Sequence, residues 1–84
     1  MTPGQCRAAR AWIQISQDEL AKAAKVGVST VRDFEVGKRT PIAATLTAMR
    51  VALEAWGVRF LGSDDSDSLG VLYSEPEKDA AADA

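Results

Sequence analysis

A capping-box pattern at Ser16 and Glu19 determines where one helix starts, and it constrains the chain more than any other feature. In this pattern each of the two side chains satisfies a backbone N–H that the first helical turn would otherwise leave unpaired. A helix is therefore predicted to begin at Gln17. Leu20 and Ala24 then recur at the spacing of a helix face that packs against other elements.

A glycine-containing interruption and a second short helix follow. Gly27 can adopt the unusual backbone angles of a tight turn or cap the next helix, which is predicted at about residues 28–36 and ends at Gly37. Val31 and Phe34 lie three residues apart on its inner face. The residues on its outer face are Val28, Ser29, Arg32 and Asp33. Two helices joined by a three- or four-residue turn containing Gly form the unit that places one helix in the major groove of DNA.

Helices are also predicted on both sides of this unit. Residues 2–13 are rich in Ala and Arg, which favour helix, and a helix at about residues 42–56 follows Thr40, which is available as a cap. The inward stripe of the first is Cys6, Ala9 and Ile13. The apolar stripe of the last, which can face the core or a partner, is Ile42, Leu46, Met49, Leu53 and Trp56. Arg7 and Arg10 are of the type that usually stays solvated.

The C-terminal third changes from helical to strand-like patterning after Gly57. Two β-prone runs, Val58–Leu61 and residues 69–73, flank a polar turn at residues 62–68. We predict a β-hairpin, which must pack on the helices or pair with another copy because an isolated hairpin is marginal in water. The turn lacks the Gly and distal Glu of an EF-hand loop, so a solvated turn is predicted rather than a calcium site. Residues 74–84 contain no core-forming side chains and are predicted to be disordered.

The 84 residues are enough for one small domain, which can gain stability by pairing. The charges are unevenly distributed along them. Residues 1–60 contain nine Lys and Arg against five Asp and Glu, a net charge of +4, whereas residues 61–84 contain one against seven, a net charge of −6. The body of the chain is basic and its C-terminal part is acidic, which the whole-chain charge of −2 hides.

Several classes of protein are excluded by composition. The single cysteine, Cys6, cannot form an intramolecular disulfide, and a chain without His offers too few ligands for a zinc site. The first ten residues lack the apolar core of a signal peptide, and no apolar run approaches the roughly 18 to 20 residues of a membrane span. We expect a cytoplasmic, non-enzymatic protein without a metal, a cofactor or a membrane segment.

The segments SQDELA and AAKVGVSTVRDFEVGKRTP resemble the signature of the lambda-repressor-like (Cro-type, Xre family) helix-turn-helix regulators of phages and bacteria. The family's usual pattern has a Ser-Gln-x-x-Leu-Ala opening, an apolar-Ser turn, a Thr-Ile core pair, Glu-x-Gly and a later Pro, and the resemblance extends over about residues 5–60. The chain departs from the family at Lys25, where Gly is frequent, and at Gly27, where Ser or Thr is frequent.

This resemblance implies a mainly α fold, with a four-helix helix-turn-helix domain at residues 1–57. A β-hairpin at residues 58–73, expected to mediate dimerisation, and a disordered acidic tail at residues 74–84 follow. The residues that match DNA-base-contacting positions are Val28, Ser29, Arg32 and Asp33. Those assigned to DNA phosphates are Gln17, Thr30, Lys38, Arg39 and Thr40. Arg10 and Glu35 match a pair that ties the first helix to the recognition helix in some phage repressors.

The chemistry of the matched residues leaves alternatives open. Arg32 can make a bidentate contact to guanine or grip a phosphate. Asp33 can accept a hydrogen bond from the cytosine amino group, or it can be a surface carboxylate that only neutralises its neighbour. Lys38 and Arg39 can supply affinity through counterion release, or they can lie in an ordinary solvated loop.

One recognition helix reads only a few base pairs, so we expect a homodimer on a palindromic operator with half-sites about 34 Å apart. The residues expected at the dimer interface are Leu53, Trp56, Val58, Phe60, Val71 and Tyr73. Two hairpins can join edge to edge, Trp56, Val58 and Phe60 can pack across the two-fold axis, or these residues can simply complete the monomer core. The predicted function is regulation of transcription by binding double-stranded DNA in the major groove. The alternative is an antitoxin or anti-regulator that mainly binds a protein partner.

Overall fold

Four helices and a two-stranded hairpin make up the fold in a computed structural model that describes residues 1–62 and 68–75. The elements are α1 (Pro3–Ile13), α2 (Gln17–Ala24), α3 (Val28–Glu35), α4 (Ala43–Ala55), β1 (Val58–Leu61) and β2 (Gly70–Tyr73). The predicted mainly α fold with a C-terminal hairpin is confirmed. Most of the predicted solvated turn and residues 76–84 of the predicted tail lie outside the described residues. No helix in the described part is both long and apolar enough to span a membrane.

Capping boxes begin the first two helices. At α2 the Glu19 N–H donates to Ser16 Oγ at 3.0 Å, and the Ser16 N–H donates to Glu19 Oε1 at 2.9 Å, as the sequence pattern predicts. At α1 the same reciprocal pair joins Thr2 and Gln5. Each box satisfies two backbone donors that a helix start leaves unpaired, so both helix starts are set by local sequence.

The turn between α2 and α3 places its left-handed residue at Lys25. Lys25 has φ 60° and ψ 44° and caps α2 by donating its N–H to the carbonyls of Ala21 and Lys22. Gly27 has φ −71° and acts as the N-cap of α3, which is one of its two predicted roles. The departure from the family at Lys25 therefore falls at the position where a glycine would relieve backbone strain.

The start of α4 differs from the prediction. Ile42, with extended backbone angles, is the N-cap, and no side chain caps the helix, so Thr40 does not have the expected role. Because Ile42 precedes the first helical residue, its side chain does not follow the apolar stripe of the helix and is exposed. The predicted stripe is fully buried only at Met49 and Leu53.

The core lies where the four helices and the hairpin meet. The largest fully buried side chains are Leu20, Met49, Leu53, Glu35, Val31, Val58 and Cys6. Helix α3 packs on α1 and α2, whereas the hairpin packs on α1 and α4. The outer side of α3 is therefore uncovered, and the hairpin packs on helices other than α3.

The hairpin has one face toward the helices and one face outward. Its antiparallel register pairs Val58 with Tyr73, Arg59 with Leu72, Phe60 with Val71 and Leu61 with Gly70. Paired residues share a face and successive pairs alternate. The inner face, where Val58 is buried, is Val58, Phe60, Val71 and Tyr73. The outer face is Arg59, Leu61 and Leu72, whose side chains are exposed.

The buried side chain of Gln5 fastens the hairpin to α1. Its Nε2 donates to the carbonyl oxygens of Leu61 at 2.9 Å and Gly70 at 3.0 Å, the last cross-strand pair before the turn. Its Oε1 simultaneously accepts the Thr2 N–H of the capping box. The amide of Gln5 thus joins the start of α1 to both strands.

The left-handed conformation of Lys25 yields a stability prediction. Lys25→Gly should raise the free energy of unfolding by about 0.5–1 kcal/mol, because glycine adopts this conformation without the steric cost that a side chain imposes. Ala23→Gly, at an exposed helical position of α2, is the matched control and should lower it by about 1 kcal/mol. Urea denaturation of both variants measures the difference. Equal destabilisation by both would contradict the strain assigned to Lys25.

Candidate nucleic-acid interface

The outer side of α3 exposes the residues that the sequence assigns to DNA bases. Val28, Ser29 and Arg32 are exposed and Asp33 is half-buried. Val31 and Phe34, on the opposite side of α3, are buried in the core. The helical period therefore divides α3 into an anchored face and a free face, and all four predicted base-contacting side chains lie outside the core.

A basic loop is attached to the C-terminal end of α3. The backbone N–H groups of Lys38 and Arg39 both donate to the carbonyl of Asp33, at 2.8 Å and 3.2 Å. Gly37, with φ +79°, allows the chain to reverse direction immediately before them. Both cationic side chains are exposed. The loop is thus held beside α3 by backbone hydrogen bonds, and its cationic side chains are exposed to solvent.

A concave surface of about 310 Å³ lies between α3 and this loop. Its lining residues are Ser29, Thr30, Asp33, Arg39, Thr40, Pro41 and Ile42. The structure therefore brings predicted base-contacting and phosphate-contacting residues to one surface. Pro41 and Ile42 are the two members to which the sequence assigned no DNA contact. The place of Ile42 in an apolar stripe predicted a buried or partner-facing side chain.

Arg32 and Asp33 are only loosely associated. Arg32 Nε lies 4.0 Å from Asp33 Oδ1, which is too long for a hydrogen bond, and the Arg32 side chain is 58% exposed. An exposed pair of this kind contributes little to stability. The guanidinium is therefore free to leave Asp33 for another acceptor.

The buried carboxylate of Glu35 holds α3 to α1. Glu35 is 1% exposed, and Arg10 donates to both of its carboxylate oxygens, from Nε and from Nη2, at 2.6 Å each. A bidentate contact of this kind is stronger and more directional than a single hydrogen bond. The structure thus brings together the two residues that the family resemblance pairs.

Three further donors converge on Glu35. Cys6 Sγ donates to Oε2 at 3.1 Å, Gln17 Nε2 donates to Oε1 at 2.9 Å, and Arg7 donates to the backbone carbonyl. Sequence reasoning placed Arg7 among solvated residues and assigned Gln17 to a phosphate. The i, i+4 spacing of Cys6 and Arg10 on one helix face was the available signal that these side chains share a partner.

The pKa values of this cluster follow from burial and hydrogen bonding. Burial raises the pKa of the Glu35 carboxyl, but the hydrogen bonds from Arg10, Gln17 and Cys6 outweigh it, so the pKa lies below its ordinary value. The hydrogen bond to Glu35 also raises the pKa of Arg10. Burial, aided by the neighbouring Glu35, raises the pKa of the Cys6 thiol far above its ordinary range. Glu35 is therefore ionised, and Cys6 remains a protonated donor.

Two of the expected interface residues are buried in the protomer. Leu53 is 0% and Val58 is 2% exposed, because both pack in its core. Trp56, Phe60 and Val71 are partly buried against the same core. Tyr73 lies 6.1 Å from the Trp12 ring, measured between centroids.

A capped helix, a tight turn and a second helix with a free outer face together define a helix-turn-helix DNA-binding domain. The helix-turn-helix family model matches residues 7–54, more than half of the chain. The chain belongs to this family, the lambda-repressor-like (Xre) helix-turn-helix regulators, and is a DNA-binding transcription regulator. This is a regulatory family whose members are generally not enzymes. No curated protein matches the chain significantly.

Removal of Arg10 tests the contribution of the buried pair to stability. Arg10→Met should lower the free energy of unfolding by about 3 kcal/mol, because it leaves the buried Glu35 carboxylate without its main partner. Arg32→Met is the matched control, since Arg32 is exposed and loosely paired, and should change it by less than about 0.5 kcal/mol. Urea denaturation at neutral pH compares the two. Equal losses would show that Glu35 does not depend on Arg10.

The difference in the free energy of unfolding between the wild type and Arg10→Met should depend on pH. The pKa of Glu35 is lowered in the folded state, so its stabilising contribution is present above the ordinary carboxyl pKa of about 4.3 and is lost as the pH falls. The stability difference between the wild type and Arg10→Met should therefore narrow in acid. A difference that stays constant down to the acid unfolding range would contradict this assignment.

We expect the free energy of unfolding to fall in alkali because the Cys6 thiol of the unfolded chain ionises there. The pKa of this thiol is raised in the folded state. The contribution of the protonated thiol to the free energy of unfolding is therefore complete below the unfolded-state pKa of about 8.5. Above that pH the contribution is lost, by up to about 1.4 kcal/mol per pH unit. Cys6→Ser keeps a hydroxyl donor that does not titrate in this range, and it should remove that slope. Unfolding experiments between about pH 7.5 and about pH 9.5 measure both slopes. Parallel slopes would rule out the thiol as their cause.

Proposed function

We propose that this protein binds double-stranded operator DNA as a homodimer, with α3 in the major groove, and thereby regulates transcription. The observation that carries the proposal is the free outer face of α3 beside a basic loop that Asp33 holds through two backbone hydrogen bonds. A helix is the element that fits the major groove of B-DNA, and the flanking loop is placed to meet its phosphates.

The exposed side chains of α3 supply the groups for reading bases. Arg32 donates two hydrogen bonds to guanine, and Asp33 accepts one from the cytosine amino group. Ser29 pairs with several base edges, and Val28 contacts a thymine methyl group. The long distance between Arg32 and Asp33 supports separate contacts for the two side chains, because it leaves each free to rotate toward DNA.

The phosphate contacts come from both ends of the helix-turn-helix unit. Lys38 and Arg39 supply affinity without sequence choice by releasing counterions, and Thr30 and Thr40 add hydroxyl donors. Gln17 contributes as well, because an amide nitrogen has two donors and only one is used by Glu35. The net charge of +4 on residues 1–60 favours this association.

A second copy is part of the proposal because one recognition helix reads too few base pairs. Two copies related by a two-fold axis present two α3 helices to half-sites about 34 Å apart, which requires a palindromic operator. A regulator of this kind acts in the cytoplasm, on the nucleoid.

Selection of bound sequences from a random double-stranded DNA pool tests the proposal directly. The expected result is a palindrome whose half-sites are centred about 10 base pairs apart. Enrichment of no sequence, together with stoichiometric binding of a protein partner, would favour an antitoxin or anti-regulator instead. Repeating the binding at two salt concentrations separates specific from purely electrostatic association.

Substitutions in α3 and in the loop should have different consequences. Arg32→Ala and Asp33→Ala should each alter the preferred base at one position of each half-site, by about 1–3 kcal/mol of discrimination. Lys38→Ala should weaken binding to all sequences about equally and reduce the salt slope by about one. Arg50→Ala, at an exposed position of α4, is the control and should change neither property. Fluorescence anisotropy with the selected operator and its point variants measures these effects, and an unaltered base preference in both α3 variants would reject the reading role.

A further inference from the structure

The outward face of the hairpin is apolar and uncovered in the protomer. Leu72 is 53% exposed and Leu61 is 46% exposed, and both lie on the same face as Arg59. The Leu61 side chain extends over Gly70, its cross-strand partner, which has no side chain of its own. Two leucines and an arginine thus form a shallow surface that nothing in the described chain covers.

A groove with charges of both signs adjoins this face. Its volume is about 590 Å³, and it runs between the end of α4 and the hairpin, with Glu54, Arg59 and Glu75 among its lining residues. Within residues 1–62 and 68–75, Arg59 takes part in no ion pair. The groove therefore offers an exposed guanidinium and two carboxylates on one lining, next to exposed leucines.

A surface that carries a guanidinium, carboxylates and exposed leucines can be complementary to a second copy of itself. In a two-fold interface the same patch meets its own copy, so each residue i that contacts j is matched by j contacting i. In such an interface Arg59 of one copy would meet Glu54 and Glu75 of the other, and Leu61 and Leu72 of both copies would exclude water between them. We propose that the surface formed by Glu54, Arg59, Leu61, Leu72 and Glu75 binds the same surface of a second copy of this chain.

The proposal rests on the proposed operator-binding function, which is incomplete without two recognition helices. The position of the surface fits that requirement. The hairpin packs on α1 and α4, whereas α3 packs on α1 and α2, so pairing through the outward hairpin face leaves α3 free for DNA. This surface lies on the side of the hairpin opposite Val58, which is buried in the protomer.

Helix α1 transmits the geometry of such a dimer to the recognition helices. Gln5 binds both strands of the hairpin, and Arg10, one helical turn and a half further along α1, binds Glu35 of α3. The dimer surface and the recognition helix are therefore fastened to the same helix. The spacing of the two α3 helices follows from this link, as recognition of two half-sites requires.

Charge reversal across the interface is the sharpest test. Arg59→Glu in one preparation, and Glu54→Lys combined with Glu75→Lys in another, should each weaken self-association at least tenfold, because like charges then meet across the axis. A one-to-one mixture should restore the dimer, since the two altered surfaces complement each other. Sedimentation equilibrium over a concentration series measures the association, and circular dichroism verifies the fold. Arg50→Glu on α4 is the control for a general effect of charge and should remain dimeric.

A second pair of variants tests the apolar part of the surface. Leu72→Asp should also weaken the dimer at least tenfold. Val51→Asp, at a position of α4 that is 52% exposed, provides a matched control and should leave it unchanged. Operator binding by Leu72→Asp should then become weaker at low protein concentration, with the preferred sequence of each half-site unchanged.

The results of these experiments distinguish an error in the proposed surface from an error in the proposed homodimeric operator binding. A dimeric wild type whose association is insensitive to Arg59→Glu and Leu72→Asp would overturn the surface and leave the homodimeric operator binding intact. A wild type that stays monomeric both alone and on its selected DNA would overturn the homodimer together with the surface. Failure of the mixture to re-form dimers would reject the pairing of Arg59 with Glu54 and Glu75.

Discussion

The position of the recognition helix depends on one buried carboxylate. Removal of Glu35 from water is costly, and the bidentate Arg10 contact, with hydrogen bonds from Gln17 and Cys6, offsets that cost. These donors come from α1 and α2, so a displacement of α3 against either helix breaks a charge-assisted bond. Apolar packing of Val31 and Phe34 is less directional, and the polar cluster supplies the orientation of α3 that the proposed contact with base edges requires.

Helix α1 joins the hairpin to α3. Its first turn binds the hairpin through Gln5, and its middle binds α3 through Arg7 and Arg10. Both contacts are hydrogen bonds from long polar side chains to groups far away in sequence. Helix α3 and the hairpin are thereby both held to α1.

Much of the fold was predictable because its signals are local. The capping box at Ser16, the Gly27 cap and the Gly37 stop are each set by residues within one helical turn, and the free face of α3 follows from its period alone. The apolar pattern did not distinguish a core residue from a partner-facing one at Ile42, Leu53 and Val58. An apolar stripe identifies a buried face without identifying what covers it, and here the protomer's own core covers Leu53 and Val58.

Local sequence sets the starts of α2 and α3, the exposed side of α3 and the basic loop, since these depend on neighbours a few residues apart. The family resemblance added the Arg10–Glu35 pair. The tertiary packing brings Cys6, Arg7 and Gln17 to this pair, places Gln5 against both strands of the hairpin, and sets which hairpin face points outward. These features arise where residues distant in sequence meet. Local periodicity carries no information about such partners, because their proximity is set by the packing of whole elements.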